Sequence, residues 1–409
     1  MTSVSAAHQQ VLDFLTSGDY YSAHQKARTT ATRLLAPPRR NAAAAAPPAG
    51  DALPYDAKAQ QAAELLWDAA RKLLEKGQAG SAVDLATMLV HDVWTARGVA
   101  CGKQERGTNG LTNPARVAKI IQLIALTDRN GVWRKTLTDA IFAWTAKTGS
   151  GPAGDVEIHE YLGETLYKEL DYDQASLHLL VCPTQDAART LANVLFDWHK
   201  LDPDSSAREA SVGRYAARGV LSYLEASFIL AARTFLSHFL ALTLAAYPSL
   251  RVVAFAYPPP NSPLAKSLAS PSSGVSTPKG TSSTSSSSSS DELIVTKLAS
   301  LNFLQLAIQA VQVGVGESVD RVKVGNEMRV QRGAGTKAWQ SLVARYERQV
   351  QWLRIPEVKE ATTAIGEIHF GLRPARQGNP LMDMMASMFG GGGGGGAGAG
   401  GPPAIGAGR

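Results

Sequence analysis

Apolar residues spaced three and four apart recur along nearly the whole chain. Leu66, Ala69, Ala70, Leu73 and Leu74 form one such stripe. Ala188, Leu191, Ala192, Leu195 and Phe196 form a second, and Leu304, Ala307, Ile308 and Val311 a third. Leu342, Tyr346, Val350 and Leu353 give a later, more polar version. This is the period of an α-helix with one buried face, so each helix needs a neighbour to cover its stripe. Short turns with Gly, Asp, Asn or Pro separate the stripes. Helices are expected over residues 6–17, 20–35, 55–76, 81–97, 113–126, 130–147, 156–169, 172–181, 184–199, 211–247, 298–314 and 326–353, with a short one at 381–389. Asn113 followed by Pro114 suits an N-cap and a first helical position.

Strand-like material is confined to "RVVAFAY" (251–257) and "DELIVT" (291–296). These predict a two-stranded hairpin with an overgrown Pro/Ser loop, too small to stand without packing on helices or a partner. The expected fold class is all-α: an irregular α-solenoid of tetratricopeptide-like helix pairs with a small β-hairpin insertion. "GDYYSAH" (18–24) is echoed by "LDYDQASLH" (170–178). Both place Asp-Tyr at a turn and Ala three residues after the Tyr, yet no regular 34-residue period can be traced. The first copy poses a question: packing between helices, or a surface for a partner.

Three segments are of low complexity: 37–50, 258–290 and 390–409. They hold too few large apolar residues to offset chain entropy. The organisation expected is a helical solenoid over 1–250, a hairpin over 251–297 with its loop at 258–290, further solenoid helices over 298–360, and a Met-rich segment with a Gly tail over 361–409. "NPLMDMMASMF" (379–389) reads either as a last helix docking on its own solenoid or as a flexible apolar contact for a partner.

The net charge of +6 comes from 41 Lys+Arg against 35 Asp+Glu, without a basic run interleaved with aromatics, so nucleic acid is not called for. Cys101 and Cys182 match no metal or redox spacing and read as reduced thiols of a cytosolic protein. The N-terminus has no basic and apolar signal pattern. The most membrane-like run, "TFLSHFLALTLAAY" (234–247), is shorter than a bilayer span and reads as a buried core helix.

Chemical motifs are weak. "GSGPAG" (149–154) matches G-x-G-x-x-G but follows a helical stretch rather than a strand. "GVACGKQ" (98–104) has Gln104 where a P-loop needs Ser or Thr. "EIHEYLGE" (157–164) lacks a second His at zinc-ligand spacing. His178, His199 and His238 read as packed histidines. No cofactor is expected, and an enzyme is the weaker reading.

Five segments, taken in order, resemble one known family: "GDYYSAHQKARTTATRLL" (18–35), "LLEKGQAGSAVDLATMLV" (73–90), "HEYLGETLYKELDYDQASLHLL" (159–180), "LASLNFLQLAIQAV" (298–311) and "NPLMDMMASMFGG" (379–391). The chain is similar in these to the Golgi-to-ER traffic protein four family. The resemblance implies a non-enzymatic cytosolic scaffold of the GET pathway, which delivers tail-anchored membrane proteins to the endoplasmic reticulum. It implies a ubiquitin-like-domain partner on the C-terminal half, near the hairpin, which recruits a tetratricopeptide co-chaperone carrying the client. It implies an ArsA-like targeting ATPase on the N-terminal face, and contact with a membrane that is peripheral at most. The family's ATPase-facing His and Arg correspond to His24 and Arg28. Of its two acidic positions one corresponds to Asp84, and the other falls on His91, with Asp92 beside it. Leu293, Ile294, Val295 and Phe303 fall in the partner-holding region. The alternative is a helical-repeat subunit of another cytosolic complex, of proteasome-lid, signalosome or coat type. Such subunits often end in a winged-helix module, which the sequence after Asn326 does not suggest.

Overall fold

The computed structural model describes residues 5–36, 55–95, 114–129, 131–148, 152–201, 208–257, 291–315, 321–324, 327–330 and 334–372. The first eleven α-helices run in sequence as α1 (Ala6–Ser17), α2 (Tyr20–Leu35), α3 (Tyr55–Glu75), α4 (Ala79–Met88), α5 (Pro114–Ala125), α6 (Val132–Thr148), α7 (Val156–Lys168), α8 (Tyr172–Leu180), α9 (Gln185–Lys200), α10 (Arg208–Glu225) and α11 (Ile229–Ala246). Strands β1 (Arg251–Tyr257) and β2 (Asp291–Thr296) follow, then α12 (Ala299–Val315), strands β3 (Arg321–Val324) and β4 (Glu327–Val330), α13 (Ala334–Tyr346) and α14 (Pro356–Phe370). Successive helices pack as antiparallel pairs, and the pairs stack. The result is the α-solenoid expected from the recurring stripes.

Four of the tight turns share one geometry. Gly18, Gly77, Leu170 and Ser227 each take a positive φ, between 64° and 84°. The next residue donates its N–H back to a carbonyl five residues earlier: Asp19 to Phe14, Gln78 to Leu73, Asp171 to Leu166 and Phe228 to Tyr223, at 2.8–3.0 Å. This is the Schellman ending of a helix, which satisfies carbonyls the helix itself leaves unpaired. Each turn is followed at the same distance by a fully buried alanine, Ala23, Ala82, Ala175 or Ala232. A methyl there lets the second helix of the pair approach the first. The echo between residues 18–24 and 170–178 is therefore part of a fourfold recurrence. "GQAGSA" and "SFILAA" carry the same backbone with different side chains.

The turn at Ser227 corrects the single helix expected over 211–247. No Gly or Pro marks the break, and the apolar period runs straight across it. The left-handed Ser227 nonetheless ends α10 and starts α11. α11 is long and apolar enough to cross a membrane. Its Ala231, Phe235, Phe239 and Leu240 pack in the core against α9 and α10.

Buried side chains form two clusters. One runs from α1 to α7 and includes Val11, Leu66, Leu85, Trp94, Trp144 and Leu162. The other begins at Ala175 and Leu179 of α8 and continues to Phe370 of α14. The pair α7–α8 joins them.

β1 and β2 pair antiparallel, with Phe255 opposite Leu293 and Tyr257 opposite Asp291, as expected. Two side-chain amides of α12 clamp β2. Gln305 accepts from the Ile294 N–H at 3.0 Å and donates to its carbonyl at 2.8 Å. Asn302 does the same for Thr296, at 2.8 and 2.7 Å. These amides supply the hydrogen bonds that a third strand would have made.

The C-terminal part departs from expectation in three places. Residues 327–330, expected to be helical, form β4, paired antiparallel with β3. "RVKV" and "EMRV" alternate with period two over only four residues, too short to outweigh the helical pattern around them. The helix that follows is α13, shorter than the span expected to reach Leu353; a 3-10 turn covers Gln351–Arg354. α14 was not expected at all, and it crosses the boundary placed at 360/361. Pro356 opens it and Gly371, with φ 62°, closes it, which is the usual Pro-first, Gly-after signature. The helix expected at 381–389 lies outside the described residues.

Candidate functional site

Helix α2 carries His24 and Arg28 one turn apart, so both point the same way. Asp19 caps the helix through the Ser22 N–H at 3.0 Å, and Ala23, Ala27 and Ala31 form its buried face. Across from them, α4 presents Asp84. His24 Nε2 lies 2.9 Å from Asp84 Oδ2, and Arg28 donates to the same oxygen. Residues 60 and 56 positions from Asp84 thus converge on one carboxylate. Partial burial pushes the Asp84 carboxyl up, but hydrogen bonds from Arg28 and His24 outweigh it and hold it below the usual carboxylate range. Arg28 is raised, first by its hydrogen bond to Asp84 and further by the charge of Asp92.

Past Met88 the helix widens into a π-helical stretch, Leu89–Thr95, with Val90, Val93 and Trp94 buried. A π turn takes one more residue than an α turn. Two turns beyond Asp84 an unbroken α-helix would present the seventh residue, His91. Asp92, whose charge reaches Arg28, and the neighbouring His91 both stand exposed beside the cluster of His24, Arg28 and Asp84.

On the second core, a groove of about 760 Å3 opens between α9, α11, α12 and β2. Leu230, Leu240, Leu293 and Ile294 line it together with Arg233, His238, Gln305 and Arg189, the last of these paired with Asp186. No carboxylate occurs among its described lining residues. Leu293, Ile294 and Val295 are half-buried. Phe303 differs from the other three. It is wholly buried, packed between Tyr346 and Trp352 at ring distances of 5.6 and 6.1 Å. Its side chain therefore lies inside the fold rather than on the surface.

The other histidines are packed. His199 bonds Ser211 at 3.1 Å and His238 bonds Asn193 at 3.0 Å. His159 Nε2–H donates to the Ala153 carbonyl at 3.0 Å, so its Nδ1 accepts from His178 Nδ1–H at 2.9 Å. Phe142 stacks on His159 at 4.0 Å. Burial, aided by His159, pushes His178 down to about 4. In the unfolded chain His178 takes its proton near 6.5. Between those values the unfolded state binds more protons, so the contribution is complete above pH 6.5 and is lost as pH falls to 4. About 2–3 kcal/mol should disappear over that window. Urea denaturation at stepwise pH checks this, and His178→Gln should flatten the decline.

Gly154, the last glycine of the G-x-G-x-x-G match, sits in a loop between α6 and α7; a Cβ there would meet Thr145 Oγ1 at 2.7 Å. Residues 98–104, including Cys101, lie outside the described residues. Cys182 is buried, and that burial pushes its thiol up to about 12, unsuited to nucleophilic work. Among the described residues no three His, Cys, Asp or Glu are placed to hold a metal.

Comparison with known proteins agrees with this architecture. The crystal structure titled C. therm. Get4 superposes with a TM-score of 0.62 at 23% identity, covering 94% of this chain and 96% of that one, which speaks for the fold. Golgi to ER traffic protein 4 of Aspergillus fumigatus is 28% identical over 92% of this chain and 87% of its own length. The Schizosaccharomyces pombe protein of the same name is 24% identical over 91% of this chain and 92% of its own length. A family profile described as Golgi to ER traffic protein 4 matches residues 56–389. This chain belongs to the Golgi to ER traffic protein 4 family.

Proposed function

We propose that the chain is a cytosolic scaffold of the GET pathway that holds two partners at once. The family serves the targeting of tail-anchored proteins, and this chain's share of that work is to bring two binding events together. The observation that carries the reading is the separation of two chemically distinct surfaces on two cores. A charged cluster of His24, Arg28 and Asp84, with Asp92 beside it, sits on the first core. A groove of mixed apolar and polar lining beside β2 sits on the second. The charged cluster suits the targeting ATPase, whose approach charge can steer. The groove beside β2 suits the ubiquitin-like-domain partner, through which the client-loaded co-chaperone is recruited indirectly.

An introduced charge tests the groove. Ile294→Glu places a carboxylate among Leu230, Leu240 and Leu293 while leaving the clamp from Gln305 to the backbone in place. Affinity for the ubiquitin-like partner should fall at least tenfold in calorimetry, with ATPase binding unchanged. Undiminished affinity of the folded variant would remove the groove from the account.

A further inference from the structure

The two hairpins have four outer strand edges, and these are not protected alike. Gln305 and Asn302 take up the N–H and carbonyl groups of Ile294 and Thr296 on the outer edge of β2. Along a strand, successive residues turn their backbone groups to opposite edges. Ile294 and Thr296 therefore face α12, and Leu293 and Val295 face β1. In the observed register Leu293 lies opposite Phe255, and Val295 opposite Val253. On β1 it is then Val253 and Phe255 that bond β2. Ala254 and Ala256 turn their N–H and carbonyl groups outward, and among the described residues nothing bonds these groups. Edge strands are ordinarily guarded against pairing by Lys, Pro or other charged residues. β3 and β4 follow that rule, with Arg321, Lys323, Glu327 and Arg329 alternating along them. From Val252 to Tyr257, "VVAFAY", β1 has neither Pro nor a charge. Its register shift lies at the base, before Val253, and leaves the rest of the ladder regular.

We propose that the outer edge of β1 adds a strand, and that the strand is an extended segment of the ubiquitin-like-domain partner. This deepens the proposed function and rests on the groove's assignment to that partner. With the edge of β2 taken by α12, this sheet can grow at β1 alone. The occupant follows from continuity. β2 lines the groove with Leu293 and Ile294, and β1 lies one strand spacing from it, about 4.8 Å. Groove and open edge thus belong to one ribbon, two strands wide. Main-chain bonds to Ala254 and Ala256 supply affinity, and the added segment cannot have Pro where it must donate to them.

Hydrogen exchange read at single amides of the full chain, alone and saturated with the ubiquitin-like partner, tests this. On binding, the Ala254 and Ala256 amides should slow by about two orders of magnitude. Val253 and Phe255, already bonded to β2, should slow less. Ala254→Pro removes one outward N–H and none of the bonds between β1 and β2. Partner affinity should then fall about tenfold in calorimetry. Retained protection of Val253 and Phe255 marks the hairpin as intact in that variant, and Ala254→Ser, which keeps the N–H, should bind as the unmodified chain does. If Ala254 and Ala256 exchange as fast in the complex as in the free chain, or if Ala254→Pro binds normally, no strand adds at β1. If the two amides become protected without partner as the chain is concentrated, the strand comes from a second copy and the proposal is overturned. If Ile294→Glu binds the partner normally, the assignment of the groove falls, and the edge loses its occupant with it.

Discussion

Phe235→Ala is expected to lower stability by about 3–5 kcal/mol, the range for losing a buried aromatic. Phe235 of α11 is fully buried, with ring neighbours Tyr223 at 6.2 Å and Phe239 at 5.6 Å. It also lies against the backbone of α10, where a Cβ on Gly219 would meet Phe235 Cζ at 2.3 Å. Gly219→Ala alone is therefore expected to cost about 1–3 kcal/mol through overpacking, despite the better helix propensity of alanine. The two changes should not add. With the ring gone, the new methyl occupies space the ring vacated, and the double variant should be more stable than the sum predicts. Urea denaturation followed by circular dichroism gives all three values; strict additivity would contradict the packing described. Leu236, His238 and Leu240 of the same helix line the groove. Phe235→Ala should therefore also loosen the ubiquitin-like partner.

Replacing His24 and Arg28 together by alanine is expected to weaken ATPase binding by one to two orders of magnitude, while stability falls by about 1 kcal/mol, because His24 is largely covered and bonded to Asp84. Asp84 is partly exposed and can be hydrated when its two partners are gone. The loss should be largest at low salt, where charges act over the longest range. Asp92 adds a finer expectation. Asp92→Asn should alter ATPase binding and His91→Ala should not, because the charge of Asp92 reaches Arg28. The reverse ranking, read in the same titration, would mean that His91 rather than Asp92 acts with the cluster.

Much of the first half was legible because its signals are local. Asp19 caps, Gly18 turns, and alanines mark the close face, so α1 and α2 follow from a few neighbouring residues. His24 and Arg28 could be placed on one face by spacing alone. Their meeting with Asp84 could not, since the contact joins residues 60 and 56 positions apart and depends on how α2 and α4 stack. The break at Ser227 was invisible for another reason. The backbone there tolerates a strained left-handed residue, at roughly 1–2 kcal/mol, because packing of α10 on α11 determines the turn. The π-helical stretch after Met88 leaves no mark in composition, so a residue count along the sequence does not give the angle between Asp84 and the residues at 91 and 92. Phe303 shows the limit for contact residues: an apolar side chain on a helix reads alike whether it supports a surface or forms it. α14 stands apart, because Pro356 and Gly371 signalled it and the more polar stripe before it drew the reading away.

The central claim is that one chain carries both partners together, on separate cores. Sedimentation equilibrium of the full chain mixed with the ubiquitin-like partner and the nucleotide-loaded ATPase measures this directly. The account predicts a single species whose mass contains all three. The double alanine variant at His24 and Arg28 should lose only the ATPase, and Ile294→Glu only the ubiquitin-like partner. Two binary complexes with no ternary species, or loss of both partners from either variant, would contradict it.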